Sequence, residues 1–216
     1  MMLSRRGLPA PGSSRGRRLL PLAGLRVGFL AQTEVEELHL WVPWYRLQEE
    51  GASCFVIGND EHTSYVGAHG IPVQVDEASL AVDAAEIAAF VIPGGYAPDY
   101  VRRTPATRSL IRYGYLMGKV VGAIGQGAWV LISAGIAKGR SVAAPPAVWD
   151  DLQNVGARVT DEEVVVDGNL ITARDTAALP AFCRALVAAL AKVAAAPSVR
   201  RRGPRPTHGG GGRWRA

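Results

Sequence analysis

The chain has 216 residues, 48% of them hydrophobic, with two cysteines and a formal net charge of +5. That length is enough to bury one substantial core, and it predicts a single domain with tails. The charge is uneven: residues 1–22 hold five arginines and no acid, residues 197–216 hold six arginines and no acid, and the stretch between carries 13 basic and 19 acidic residues, a net −6. Basic tails without interleaved aromatics attract polyanions without reading their sequence, so specific nucleic-acid recognition is not expected. Ser4-Arg5-Arg6 is followed by Gly, Pro, Ser and Arg rather than an apolar export segment, and no run approaches the roughly 18 uninterrupted apolar residues of a membrane span. A cytoplasmic protein with no membrane partner is expected.

Residues 1–22 and 197–216, rich in Gly, Pro, Ser and Arg, read as disordered tails around a folded unit at 23–196. Within it, Leu25 to Ala31 is an apolar run of strand length, followed by a helix from Glu36 to Glu50 with Leu38, Trp41, Val42, Tyr45 and Leu47 near helical spacing. Ser53 to Ile57 is a second strand, and Tyr65 to Val75 carries short strand pieces around Gly67 and Gly70. Ala88 to Ile92 is a buried strand that breaks at Pro93-Gly94-Gly95, and Pro98 to Met117 reads as one helix with Pro98 in its first turn. Lys119 to Ile124 is the next strand, with helices at Gly127 to Ala134 and Ala147 to Val155. A hairpin follows over Val164 to Thr172 with an Asp167-Gly168 turn, and a long helix over Thr176 to Ala195 closes the domain.

Apolar strands alternating with helices predict an α/β fold: a doubly wound, mainly parallel sheet with helices on both faces. Such folds bind ligands at the carboxyl ends of their strands, which singles out the loops Gln32 to Glu37, Gly94 to Asp99 and Gly125 to Gly127. The last is a sharp strand-turn-helix at Ala123-Ile124-Gly125-Gln126-Gly127, the geometry that elsewhere presents a nucleophile. Its central residue is Gly125, which has no atom that can attack a substrate. The backbone amides of Gly125 to Gly127, facing those of Gly94 and Gly95, remain suited to holding a carbonyl oxygen or carboxylate.

From Leu25 to about Leu190 the chain resembles the ThiJ/PfpI family of the class I glutamine amidotransferase-like superfamily, and within it the PfpI protease-like branch. The resemblance is carried by Val27-Gly28-Phe29-Leu30, Pro43-Trp44-Tyr45-Arg46-Leu47-Gln48-Glu49-Glu50-Gly51, Val91-Ile92-Pro93-Gly94-Gly95-Tyr96-Ala97-Pro98-Asp99, Ala123 to Gly127, Ser133-Ala134-Gly135, Asp150-Asp151-Leu152, Val164 to Leu170 and Arg174. It implies a flavodoxin-like sandwich and a homodimer or higher homo-oligomer. In that branch the elbow reads Ala-Ile-Cys-His-Gly; here Gly125 stands for the nucleophilic Cys and Gln126 for the His. The resemblance places the acid that bonds the cysteine at Glu36, a further acid contributed across subunits at Asp99, and a pocket tyrosine at Pro145. Peptidase, deglycase, glyoxalase and cysteine-oxidation chemistries all need sulfur at the elbow, so none is expected.

Glu36 is the candidate acid-base residue or, alternatively, the cap of the helix it opens. Asp99 and Gln126 complete the candidate catalytic set, Asp99 otherwise serving as an acid in a first helical turn and Gln126 as filler. Gly94, Gly95, Tyr96, Gly125, Gln126 and Gly127 form the candidate ligand-binding set. His39 is placed on an exposed or interface face, and His69 in a family-like extension; neither has a metal partner at useful sequence spacing, so no metal and no cofactor are expected. Trp41, Trp44 and Tyr45 read as core or interface, and Cys54 and Cys183 as buried packing residues. Two functions fit: a non-thiol protein binding a small carbonyl- or carboxylate-bearing metabolite, or a hydratase, lyase or isomerase using Glu36 with a backbone oxyanion site.

Overall fold

The computed structural model describes residues 20–59 and 62–196; of the tails expected at 1–22 and 197–216, residues 1–19 and 197–216 lie outside the described residues. In chain order the elements are β1 (Arg26–Leu30), α1 (Glu37–Glu49), β2 (Ser53–Gly58), β3 (Ser64–Val66), β4 (Pro72–Gln74), β5 (Glu77–Ala78), β6 (Ala89–Ile92) and α2 (Ala97–Val101). Then come α3 (Pro105–Leu116), β7 (Val120–Ile124), α4 (Ala128–Ser133), β8 (Ser141–Ala143), α5 (Trp149–Asn154), β9 (Arg158–Thr160), β10 (Val164–Asp167), β11 (Leu170–Ala173) and α6 (Leu179–Ala195).

Seven strands form the main sheet in the order β10-β11-β7-β6-β1-β2-β5. All neighbours run parallel except the edge strand β10, which pairs antiparallel with β11. Strands β1, β6 and β7 are buried nearly throughout, which is why they read as continuous apolar runs rather than alternating ones. One core cluster joins the sheet to α3, α4 and α5 through Ile111, Leu131 and Leu152; the other joins it to α1 and α6 through Leu40, Leu47, Phe182 and Leu186. Gly122 in β7 permits the close approach of α6, because a Cβ there would lie 2.9 Å from the Phe182 ring. Burying that ring contributes about 2–3 kcal/mol.

The expected helix from Pro98 to Met117 is two helices. Thr104 precedes Pro105 and is extended (φ −79°, ψ 113°), because the proline ring excludes the helical region for the residue before it. The expected Asp-Gly turn shifts by one residue: Asp167 pairs with Leu170, leaving Gly168 (φ +63°) and Asn169 as the turn. The folded unit also begins earlier than residue 23, since Leu22 is fully buried and its N–H donates to Glu50 O. Strands β8 and β9, three residues each, pair parallel beside the main sheet and were not expected.

Helix α1 turns its surface differently from its apolar pattern. Leu38, Val42 and Tyr45 are exposed, whereas Glu37, His39, Leu40, Pro43 and Leu47 are buried. Trp41 and Trp44 are half-buried against the second core cluster and stack edge to face, with ring centroids 5.6 Å apart. Thr176–Ala195 is long and apolar enough, by length and composition, to cross a membrane, but Arg184 and Lys192 interrupt it, so no uninterrupted apolar run of that length occurs. In the fold its Leu179, Phe182, Cys183, Leu186 and Leu190 are buried against the sheet and α1.

Candidate functional site

Strand β7 ends at Ile124, and the chain turns at Gly125 with φ +59°, the left-handed region that disfavours a side chain, before a 3-10 turn over Gly125–Gly127 feeds α4. The two glycines of this elbow differ. A Cβ on Gly127 would lie 2.5 Å from Ile92 O, so only glycine lets the turn pass beside β6. A Cβ on Gly125 would meet nothing closer than His39 Cε1 at 3.4 Å and Arg174 O at 3.9 Å. Gly127 is required by the backbone; Gly125 leaves open a position with room for a small side chain.

The side chain over that position is His39, not Glu36 as expected, and His39 is not on an exposed face: it is 5% exposed. Its Nδ1 accepts from Gly94 N–H at 3.2 Å, which puts the ring proton on Nε2, and Nε2–H donates to Thr176 Oγ1 at 2.9 Å. Burial pushes its pKa down to about 4 against the opposing pull of the Asp175 carboxylate, so the ring is neutral near pH 7. With both nitrogens bonded, His39 braces the loops after β6 and β11. The Gly94 N–H, expected to face a ligand, is taken up by this brace.

Glu36 caps α1 through a long bond of 3.4 Å from Leu38 N–H to its Oε1. Its neighbour Glu37 is 3% exposed and accepts from His69 N–H (2.7 Å), Ile71 N–H (3.3 Å) and His69 Nδ1 (2.7 Å). Burial works against the Glu37 charge, but the His69 bond and the two amides outweigh it and hold the carboxyl below its ordinary range. The same Glu37 bond raises the pKa of His69. Gly67 makes this possible, because a Cβ there would occupy the space of the Glu37 carboxylate. Glu36, Glu37 and His69 each offer a donor atom within 4.8 Å of the others, a carboxylate and histidine grouping that could hold a divalent ion. Sequence spacing hid it, since His69 lies 32 residues beyond Glu37.

The loop after β1 is strained: Glu34 is, among the described residues, the non-glycine residue with positive φ, at 61°, and its carbonyl accepts from Tyr96 N–H and Ala97 N–H. A Cβ on Gly95 (φ +82°) would lie 2.5 Å from Glu34 O, so glycine is required where the loops after β1 and β6 meet. The Gly95 N–H has no hydrogen-bond partner among the described residues. Tyr96, by contrast, is 69% exposed. Asp99 sits in the first turn of α2, ion-paired to Arg102 at 3.1 Å and to Arg103.

These loops enclose a cavity of about 260 Å³ lined by Glu36, His39, Gly95, Gly125, Gln126, Pro145 and the run Arg174-Asp175-Thr176. Of the expected site residues, Glu36, Gly95, Gly125 and Gln126 meet there; Gly94, Tyr96, Gly127 and Asp99 are not among the lining residues. The Gln126 amide makes no side-chain hydrogen bond to a described residue, which leaves a neutral donor and acceptor on the cavity wall. Arg174 to Thr176 were missed because Leu170 to Thr172 read as half of a hairpin. Its parallel pairing with β7 makes the segment after it a fourth loop at the carboxyl edge. Arg174 donates to Asp161 at 3.0 Å and Asp175 at 3.1 Å. Burial works to raise the Asp175 carboxyl, but Arg174 and the amides of Ala177 and Ala178 outweigh it and hold it low.

Both thiols lie outside the lining of this cavity. Burial pushes Cys54 up to about 12 and Cys183 up to about 11, so neither is a thiolate near pH 7.

The model of the DJ-1/PfpI family matches residues 25–189. A deglycase from Pyrococcus horikoshii is 39% identical over 163 residues, covering 76% of this chain and 98% of that one. The deglycase PfpI of Pyrococcus furiosus is 37% identical over the same length, covering 76% of this chain and 98% of that one. Among solved structures, a protein from Anabaena variabilis with DJ-1/ThiJ/PfpI-like and ferritin-like domains superposes with a TM-score of 0.76 at 34% identity, over 83% of this chain. The chain spans about half, 52%, of that two-domain protein.

Proposed function

Because the chain belongs to the DJ-1/PfpI family, we propose that it is a member without thiol chemistry, one that binds a small carbonyl- or carboxylate-bearing metabolite in the cavity above Gly125. The observation that carries this reading is the open position over Gly125, bordered by the bonded ring of neutral His39 and by Arg174 O, with both cysteines elsewhere and protonated. A thioester or hemithioacetal needs a thiolate at that point. The relatives named deglycases make the contrast testable: the wild-type protein is expected to show no methylglyoxal-consuming, deglycase or peptidase activity above a blank. Activity that disappears on Cys54→Ser or Cys183→Ser would overturn the reading.

Native mass spectrometry of protein purified from its own source tests binding directly, with a retained adduct of metabolite mass as the expected result. The same spectrum reports the assembly, for which a homodimer or larger homo-oligomer is proposed, with Asp99 at the subunit rim. No cofactor, nucleic acid or membrane enters this reading, and a cytoplasmic location accompanies it.

A second reading, an enzyme with Glu36 as acid-base catalyst, is favoured by one feature: the Glu36 carboxylate lines the cavity and is held by a single long hydrogen bond. A hydratase, lyase or isomerase of this kind would stabilise developing negative charge with the Gly95 N–H and the elbow amides. It requires that Glu36→Gln retain ligand binding and abolish turnover of the retained metabolite; unchanged turnover would exclude it.

A further inference from the structure

The cavity's charges and hydrogen-bonding groups narrow the ligand class. Its lining holds two carboxylates, Glu36 and Asp175, and one guanidinium, Arg174. That guanidinium is bonded through Nε to Asp175 and through Nη1 to Asp161, so two carboxylates already offset its charge. Asp175 is likewise engaged: Oδ2 faces Arg174, and Oδ1 accepts from Ala177 N–H at 3.0 Å and Ala178 N–H at 3.3 Å. His39 is neutral and bonded at both nitrogens.

Glu36 is the charge left over. Its Oε1 takes one long bond, His69 Nδ1 lies 3.9 Å away but is bonded to Glu37, and Oε2 has no partner among the described residues. The Arg174 carbonyl, which faces the open position at Gly125, also accepts no hydrogen bond among the described residues. Acceptors and negative charge therefore exceed donors and positive charge on this wall. A partly enclosed site amplifies such an imbalance, because the charges are screened less than in bulk water.

Resting on the reading that this cavity binds a small carbonyl compound, we propose that the ligand carries a primary ammonium group beside its carbonyl. The ammonium is received by the Glu36 carboxylate and the Arg174 carbonyl, and the ligand's oxygen by the Gly95 N–H and the Gln126 amide. A ligand whose only charge is a carboxylate would face Glu36 with no free cation opposite it.

Three probes of one carbon skeleton separate these features: alaninamide, a cation near pH 7, lactamide, which is uncharged, and lactate, an anion. Each is titrated into the full-length protein at pH 7 and low salt, with binding followed by NMR at the Gly95, Gly125 and Gly127 amides. Alaninamide is expected to bind at least tenfold more tightly than lactamide, with lactate weakest. In Glu36→Gln the advantage of alaninamide over lactamide is expected to fall to threefold or less. Asp161→Ala, a change at an exposed residue that removes the acceptor of one Arg174 nitrogen, is expected to raise lactate affinity several-fold while Glu36 stays intact. Lactate binding as tightly as alaninamide, or an alaninamide advantage unchanged in Glu36→Gln, would overturn the ammonium assignment and leave the cavity as a binding site. Absence of any shift with all three probes would overturn both.

Discussion

The elbow after β7 and the start of α1 face each other across one cavity, and they differ in what they contribute. The elbow supplies backbone: a left-handed turn at Gly125, a glycine at Gly127 packed against Ile92 O, and an uncharged glutamine. The start of α1 supplies side chains: Glu36 at the wall, buried Glu37 bonded to His69, and His39 braced between two loops. Elbow geometry follows from the sheet and from two small residues, so it needs no side chain at Gly125. Charge must be held by partners, so the α1 side is built from hydrogen bonds and is the more fragile of the two.

The sharpest test of that asymmetry is Glu37→Ala. It removes the acceptor of His69 N–H and Ile71 N–H, two part-buried bonds, and is expected to cost about 2–3 kcal/mol, measured as a fall in the denaturation midpoint with unchanged slope. A loss below about 1 kcal/mol would show that the network does not hold this side together.

His39 predicts a pH dependence of nearly the same size. Its folded pKa of about 4 lies below the ordinary 6.5, so between these values the unfolded chain takes up a proton that the folded one does not. Stability from this residue is therefore complete above about pH 6.5 and declines as the pH falls toward 4, by roughly 3 kcal/mol in all. His39→Gln is expected to flatten that limb in urea titrations between pH 7 and 4; an equally steep limb in the variant would assign it to other groups.

A paired substitution compares the glycines across the cavity. Gly95→Ala drives a Cβ to 2.5 Å from Glu34 O at φ +82°, and about 3 kcal/mol of destabilisation is expected. Gly125→Ala carries backbone strain without a clash, its nearest neighbour being 3.4 Å away, and about 1 kcal/mol is expected. Equal losses would remove the distinction between a required glycine and an open position. The smallest effect belongs to Asp99→Asn, which breaks partly exposed pairs with Arg102 and Arg103 and should cost the monomer under about 1 kcal/mol. A change in assembly mass for that variant would tie Asp99 to the subunit contact.

Much of this was legible in the chain itself. Strands β1, β6 and β7 are apolar runs that break at Gln32, Pro93 and Gly125, so the three loops after them could be named, and with them Glu36, Gly95, Gly125 and Gln126. The absence of sulfur, hydroxyl and imidazole at the elbow is written there as Gly125 and Gln126. The fourth loop and the occupant of the space over Gly125 depended on tertiary structure. Leu170 to Ala173 ends the expected hairpin, but it also pairs parallel with β7, a contact between residues about fifty positions apart, and that pairing puts the segment after it at the carboxyl edge. The side of α1 that turns inward is set by how the helix lies across the sheet, which buries His39 and exposes Leu38, against the apolar pattern. Local propensity and hydrophobic runs act over a few residues and so could be read from order alone. The pKa of His39, the Glu37–His69 bond and the charge balance of the cavity arise from groups that only folding brings within a few ångströms of one another.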